Sequence, residues 1–261
     1  MIPDSYEDFK TKVYQLTKID LSSYKERQMK RRIDSLITRH SIATYAEYVE
    51  KLRTDKELFD EFVTFLTINV SEFYRNPDQW MLLEKEILPQ ILSKTKKPKI
   101  WSAACSTGDE PYSLVMLLAK FIPMRDIHII ATDIDKQILE KAKAGLYNVK
   151  SLKALPQEFV DKYFIKINEN SYQIKEEVKR CVEFRHHNLL KDDYPSECDM
   201  IVCRNVVIYF TEEAKDVIYK KFSDALSKEG ILFVGSTEQI IQPASVGFES
   251  IRAFFYRKKA I

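Results

Sequence analysis

The sequence predicts an α/β protein: a parallel sheet wound with helices, preceded by an all-helical region and interrupted by a small antiparallel insertion. Three observations predict it. Glycine is absent up to Lys94, and apolar residues there recur at helical spacing. Beyond Pro98, strand-like and helix-like segments alternate, which is the grammar of a parallel sheet. Residues 163–182 break that alternation with two short strand-like runs around Asn168-Glu-Asn-Ser.

In the N-terminal region the spacing predicts helices over 22–40 and 55–68, the second with Leu58, Phe62, Phe65 and Leu66 on one side. Asn76 followed by Pro77 reads as an N-cap and a first helical position. That helix runs through Trp80, Leu83 and Ile87 towards Ser93, with Pro89 expected to kink or end it. Next come strands at 99–103 and 127–132, with helices at 110–121 and 134–144. Later strands are expected at 182–186, 199–204 and 231–235, a helix at 211–227, and a terminal strand at 253–257. The implied organisation is a helical domain over 1–75, a linker helix over 76–97, and an α/β domain over 98–261 with its β-subdomain at about 150–182.

Hydrophobic residues make up 45% of the 261, enough for a substantial core, and charged residues 31%. A net charge of +2 does not by itself point to nucleic acid. The start of the chain has no basic, apolar leader pattern, and the apolar stretch 200–210 is interrupted by Arg204 and Asn205. Cys105, Cys181, Cys198 and Cys203 form no C-x-x-C pair and have no zinc-type histidine spacing. Reduced thiols, a cytoplasmic location and no metal site are the expectation.

The first strand runs into Trp101-Ser-Ala-Ala-Cys-Ser-Thr-Gly-Asp-Glu. Small residues such as Ala103 let a ligand approach the backbone, and Gly108 permits a tight turn. Open α/β sheets bind ligands beyond the carboxyl ends of their strands. The turn lacks the G-x-G-x-x-G of dinucleotide sites, and Asp109 and Glu110 would repel a pyrophosphate. They suit a positively charged, phosphate-free ligand such as S-adenosylmethionine. Asp133, first after the second apolar run, is placed to accept from ribose hydroxyls, while Asp135 caps the next helix. Asn188, after the third strand, has the donor and acceptor needed for an adenine edge.

Together, Thr67-Ile-Asn-Val-Ser-Glu-Phe-Tyr-Arg-Asn, Ser102-Ala-Ala-Cys-Ser-Thr-Gly-Asp-Glu-Pro-Tyr-Ser, Thr132-Asp-Ile-Asp, Cys203-Arg-Asn-Val-Val-Ile-Tyr-Phe and Gly235-Ser-Thr-Glu resemble the CheR-type chemotaxis receptor methyltransferases. The resemblance covers nearly the whole chain. It implies a Rossmann-like class I S-adenosylmethionine-dependent methyltransferase domain behind a helical N-terminal domain, with S-adenosylhomocysteine as product. It also implies cofactor contacts from Asn69, Ser71, Arg75, Glu110, Asp133, Asn188, Leu189, Arg204 and Asn205, and places Arg75 and Tyr209 beside the reacting carboxylate. The implied reaction forms methyl esters on glutamates of methyl-accepting chemotaxis receptors.

A glutamate is already ionised near neutral pH, so no general base is needed. Lys25, Arg27, Lys30, Arg31, Arg32 and Arg39 crowd one expected helix, opposed there by Glu26 and Asp34, and are the expected docking surface for glutamate-rich receptor helices. Members that dock on a receptor's C-terminal peptide carry a longer, glycine-rich loop in the insertion. Here 167–172 is short and lacks glycine, so no such peptide tether is expected. A monomer without nucleic-acid or membrane partners is expected. The Asn/Asp-Pro-Pro-aromatic motif of amino-methylating nucleic-acid enzymes is missing at 203–206.

Overall fold

A computed structural model describes residues 5–259. They divide into two units. One comprises the described residues up to Asn69 together with Tyr209–Lys215; the other comprises Val70–Ile208 and the described residues from Asp216 onward.

The first unit is helical: α1 (Tyr6–Thr17), α2 (Glu26–Arg39), α3 (Tyr45–Thr54) and α4 (Lys56–Thr67). Ser5, Thr44 and Asp55 cap α1, α3 and α4 by accepting from first-turn N–H groups, each worth about 1 kcal/mol. Helix α2 starts at Glu26 rather than at 22. Asp20 instead accepts from Ser22 N (2.9 Å) and caps a short 3-10 turn, after which Tyr24 pairs with Phe210. The core holds Phe9, Val13, Ile33, Leu36, Tyr48 and Phe62. Rings of Phe9 and Tyr45 lie 4.7 Å apart, and those of Tyr48 and Phe62 5.6 Å. Leu58, Phe62 and Leu66 are buried, whereas Phe65 is half-buried under the Arg32 guanidinium.

The second unit opens with α5 (Pro77–Leu82), a π turn (Leu83–Ile87) and α6 (Leu88–Lys94). Pro89 does not end this helix. The π turn just before it places Leu88 N on Leu83 O, opening the backbone where the proline ring would meet the Lys85 carbonyl. The Asn76 side chain does not cap α5 either, because its backbone is left-handed (φ 62°). Then come β1 (Ile100–Ala103), α7 (Asp109–Leu118), β2 (Ile129–Asp133), α8 (Lys136–Ala144), β3 (Leu146–Asn148), α9 (Gln157–Tyr163), β4 (Phe164–Asn168), β5 (Ser171–Ile174), α10 (Glu176–Lys179), β6 (Val182–His186), β7 (Cys198–Cys203), α11 (Glu212–Ala225), β8 (Leu226–Val234), β9 (Phe248–Arg252) and β10 (Phe255–Lys258).

Seven strands form one sheet in the order β6-β2-β1-β7-β8-β10-β9. It is parallel from β6 to β8 and closes with antiparallel β10 and β9. The expected insertion is a separate sheet, but of three strands in the order β3-β5-β4. Its first strand precedes the stretch expected to form it. The chain leaves β1 towards β2 on one side and meets β7 on the other, so the carboxyl ends of β1, β2 and β7 frame the crevice that open α/β sheets use for ligands.

Candidate active site

Within the second unit the turn after β1 is wound tightly. Ala104, Ser106 and Gly108 all have positive φ (61°, 49° and 87°). Two main-chain N–H groups tie this turn to β2: Cys105 N donates to Thr132 O (2.9 Å) and Ser106 N to the side-chain Oδ2 of Asp133 (2.9 Å). The other Asp133 oxygen accepts from Asp135 N (3.0 Å). Asp133 is 5% exposed, and burial pushes its carboxyl up to about 6 against those two N–H groups. Asp135 is the cap of α8, with Oδ1 accepting from Gln137 N and Ile138 N.

Glu110, in the first turn of α7, accepts from Ser102 Oγ (2.8 Å) and faces Arg204 Nη1 at 3.8 Å. Burial pushes its carboxyl up to about 7, opposed chiefly by Arg204. Asp109 is buried and accepts from Thr107 Oγ1 (2.5 Å). Burial raises its pKa, while Thr107 and Ser71 favour its charged form. Ser106 Oγ is buried with no hydrogen-bond partner among the described residues.

Arg204, at the end of β7, is buried between Trp80 and Phe233, its guanidinium 5.7 Å and 4.7 Å from their ring centres. Its Nη2 donates to Arg75 O (2.7 Å), Gln79 Oε1 (2.7 Å) and Asn76 Oδ1 (3.2 Å). Arg75 O also accepts from Trp80 Nε1 (3.1 Å), and Tyr74 stacks on the Trp80 ring. The backbone of Arg75 is thus anchored from two sides. Its side chain stays half-buried, with Nη1 donating to Val70 O (3.3 Å).

Asn188 closes a turn after β6, its Oδ1 accepting from Leu190 N and its N–H donating to Asp192 Oδ2. Leu189 O accepts from Tyr194 Oη (2.7 Å). His187 packs against Trp101 and bonds Asp193 O, a structural setting. Asn69 and Tyr209 belong to the helical unit. Asn69 Nδ2 donates to Thr67 Oγ1, and Tyr209 O accepts from Lys25 N (2.9 Å).

The structure therefore brings Ser71, Arg75, Ala103, Gly108, Glu110, Asp133, Asn188, Leu189, Arg204 and Asn205 into one unit. Sequence reasoning assigned no part to Ser102, Gln79 or Glu238. Gln79 and Trp80 lie in the first turn of α5, just after Arg75, and Glu238 closes the Gly235-Ser-Thr-Glu motif; that motif was the available signal.

A model of the CheR methyltransferase SAM-binding domain matches residues 69–254, and one of the CheR methyltransferase all-alpha domain matches 4–67. The chain belongs to the CheR methyltransferase family. Chemotaxis protein methyltransferases similar to it include one from Listeria innocua, 42% identical over 99% of this chain and 100% of that protein. Another is from Borreliella burgdorferi, 31% identical over 87% and 85%. A third, from Salmonella typhimurium, is 30% identical over 87% and 80%. CheR membership makes this an S-adenosylmethionine-dependent methyltransferase of chemotaxis. The site's chemistry fits that cofactor. The buried Asp133 and half-buried Glu110 carboxyls beside the turn suit hydroxyls and positive charge, and Ser106 Oγ, without a hydrogen-bond partner among the described residues, leaves a further polar group to be used.

Proposed function

We propose that the chain methylates glutamate side chains of chemotaxis receptors, with Arg75 positioning the acceptor carboxylate. One observation carries this reading. Arg75 is pinned through its carbonyl by Arg204 and Trp80, while among the described residues its guanidinium makes a single long hydrogen bond, to Val70 O. A fixed backbone with an available fork suits bidentate binding of a carboxylate. In this reading Asp133 accepts from ribose hydroxyls, Glu110 faces the cofactor's positive end, and Asn188 and Leu189 meet the adenine. Ser71, Ala103, Gly108 and Asn205 line the remaining contact.

Bound S-adenosylmethionine supplies an electrophilic methyl carbon on a sulfonium. The protein's task is alignment and exclusion of water, because the acceptor needs no deprotonation. The exposed Arg27 and Arg31, one helical turn apart on α2, steer a glutamate-rich receptor helix.

The test is transfer of labelled methyl groups to receptor-containing membranes, with mass spectrometry locating the modified side chain. Label on glutamate as an alkali-labile ester is expected. Arg75→Ala should cut kcat by about a hundredfold while changing S-adenosylhomocysteine affinity little. Label on nitrogen, or equal losses of rate and affinity, would overturn the reading.

A further inference from the structure

We infer that Glu238 is a positioning residue for methyl transfer, acting as an internal anion that fixes the Asn205–Val207 backbone. Its carboxylate is 4% exposed and faces four main-chain N–H groups. Oε2 accepts from Asn205 N (2.5 Å) and Gly235 N (2.9 Å); Oε1 accepts from Val206 N and Val207 N (both 2.8 Å). Such a ring of amides usually holds a phosphate or a bound anion; here a side chain of the same chain occupies it. The two oxygens join the loop after β7 to the loop after β8, the two strands that run side by side at the centre of the sheet.

What Glu238 holds is not a relaxed loop. Asn205 sits at φ 63°, and the following Val207–Tyr209 forms a 3-10 turn whose first N–H ends on Glu238 Oε1. Without the carboxylate, three consecutive amides would be left without these acceptors, and Asn205 would be free to leave its left-handed conformation. Gly235 completes the device. A Cβ there would stand 2.5 Å from Glu238 Oε2 and 2.9 Å from Asn205 N. Burial raises the carboxyl's pKa and the four N–H groups oppose this. Glu238 touches no reacting atom in this account. Its effect runs through Asn205, and so it rests on the proposed contact between Asn205 and the cofactor.

The experiment compares the full-length protein with Glu238→Gln and Gly235→Ala, using calorimetric binding of S-adenosylhomocysteine, methyl-transfer kinetics and thermal melting. The carboxamide keeps the size of Glu238 but turns an NH2 towards N–H donors. Gly235→Ala keeps the carboxylate and displaces the turn. Both should weaken S-adenosylhomocysteine about tenfold or more and raise KM for S-adenosylmethionine more than they lower kcat. Val178→Ala, a truncation in the buried core remote from these loops in sequence, should lower the melting temperature without moving the affinity. If Glu238→Gln does not fold, Gly235→Ala decides. Unchanged affinity in a folded variant, or the same affinity loss in Val178→Ala, overturns the inference. Wild-type protein that binds no S-adenosylhomocysteine overturns the cofactor reading and this inference together.

Discussion

Glu110 carries its carboxyl between Ser102 and Arg204, and burial pushes it up to about 7. A carboxyl whose folded-state pKa exceeds the unfolded value of about 4.3 binds more protons when folded. Its contribution to stability is present below that unfolded value and is lost as pH rises through about 7. The melting temperature of the ligand-free protein, relative to Glu110→Gln, should therefore fall between pH 5 and pH 8. A cationic ligand favours the ionised form, so S-adenosylmethionine affinity should rise over the same interval in the wild type and stay flat in Glu110→Gln. Calorimetry at several pH values checks both signs. Asp133 was legible because it ends a short apolar run, and Asp109 and Glu110 because they follow a turn of small residues at the end of another. The partners of Arg204 were not, since Arg75, Asn76 and Gln79 lie 125 to 129 residues upstream and no local pattern links them.

Helix α8 shows how two neighbouring aspartates come to do different work. Asp133 points both oxygens into the β1 turn and its own chain, whereas Asp135 accepts from the first free N–H groups of the helix. Asp135→Ala should cost about 1 kcal/mol of stability and leave S-adenosylhomocysteine affinity close to wild type; Asp133→Ala should weaken that affinity. Denaturant titration beside calorimetry separates the two. Strands β1, β2 and β7 are readable because strands flanked by parallel neighbours are apolar over several residues, and edge strand β6 because Val182 and Phe184 alternate with charged residues. Strand β3 escapes such reading: it has three residues, and Tyr147 alone is buried. Strand β9 escapes for a different reason, as an edge strand bearing Glu249, Ser250 and Arg252. The π turn before Pro89 is likewise invisible to periodicity, because the buried Leu83, Ile87, Leu88 and Ile91 keep a helix-like spacing across it.

For the whole molecule, surface charge separates into groups already committed and groups available to a partner. On α2, Lys30 pairs with Asp34 (2.8 Å), Arg32 donates to Phe65 O (2.7 Å) and Arg39 pairs with Glu61 (3.3 Å). Arg27 and Arg31 are exposed and make no ion pair among the described residues. Arg27→Ala with Arg31→Ala should raise KM for receptor several-fold at low salt, flatten the salt dependence and leave S-adenosylhomocysteine binding unchanged. Assays across ionic strength check this, and unchanged salt dependence would remove α2 from the docking surface. Free, buried Cys105, Cys181, Cys198 and Cys203 take no part in any crosslink. Among the described residues no helix is long and apolar enough to cross a membrane.

The anchoring of Arg75 by Arg204 also bears on how the protein comes into being on the ribosome. The segment that carries Arg75 leaves the exit tunnel long before Arg204 has been translated. Until then Trp80 and its neighbours lack both the guanidinium and the strand against which they rest. Loop closure over more than a hundred residues is slow and gains nothing until it is complete. A nascent chain cut short before β7 would thus hold a stretch of exposed aromatic surface, of the kind chaperones guard.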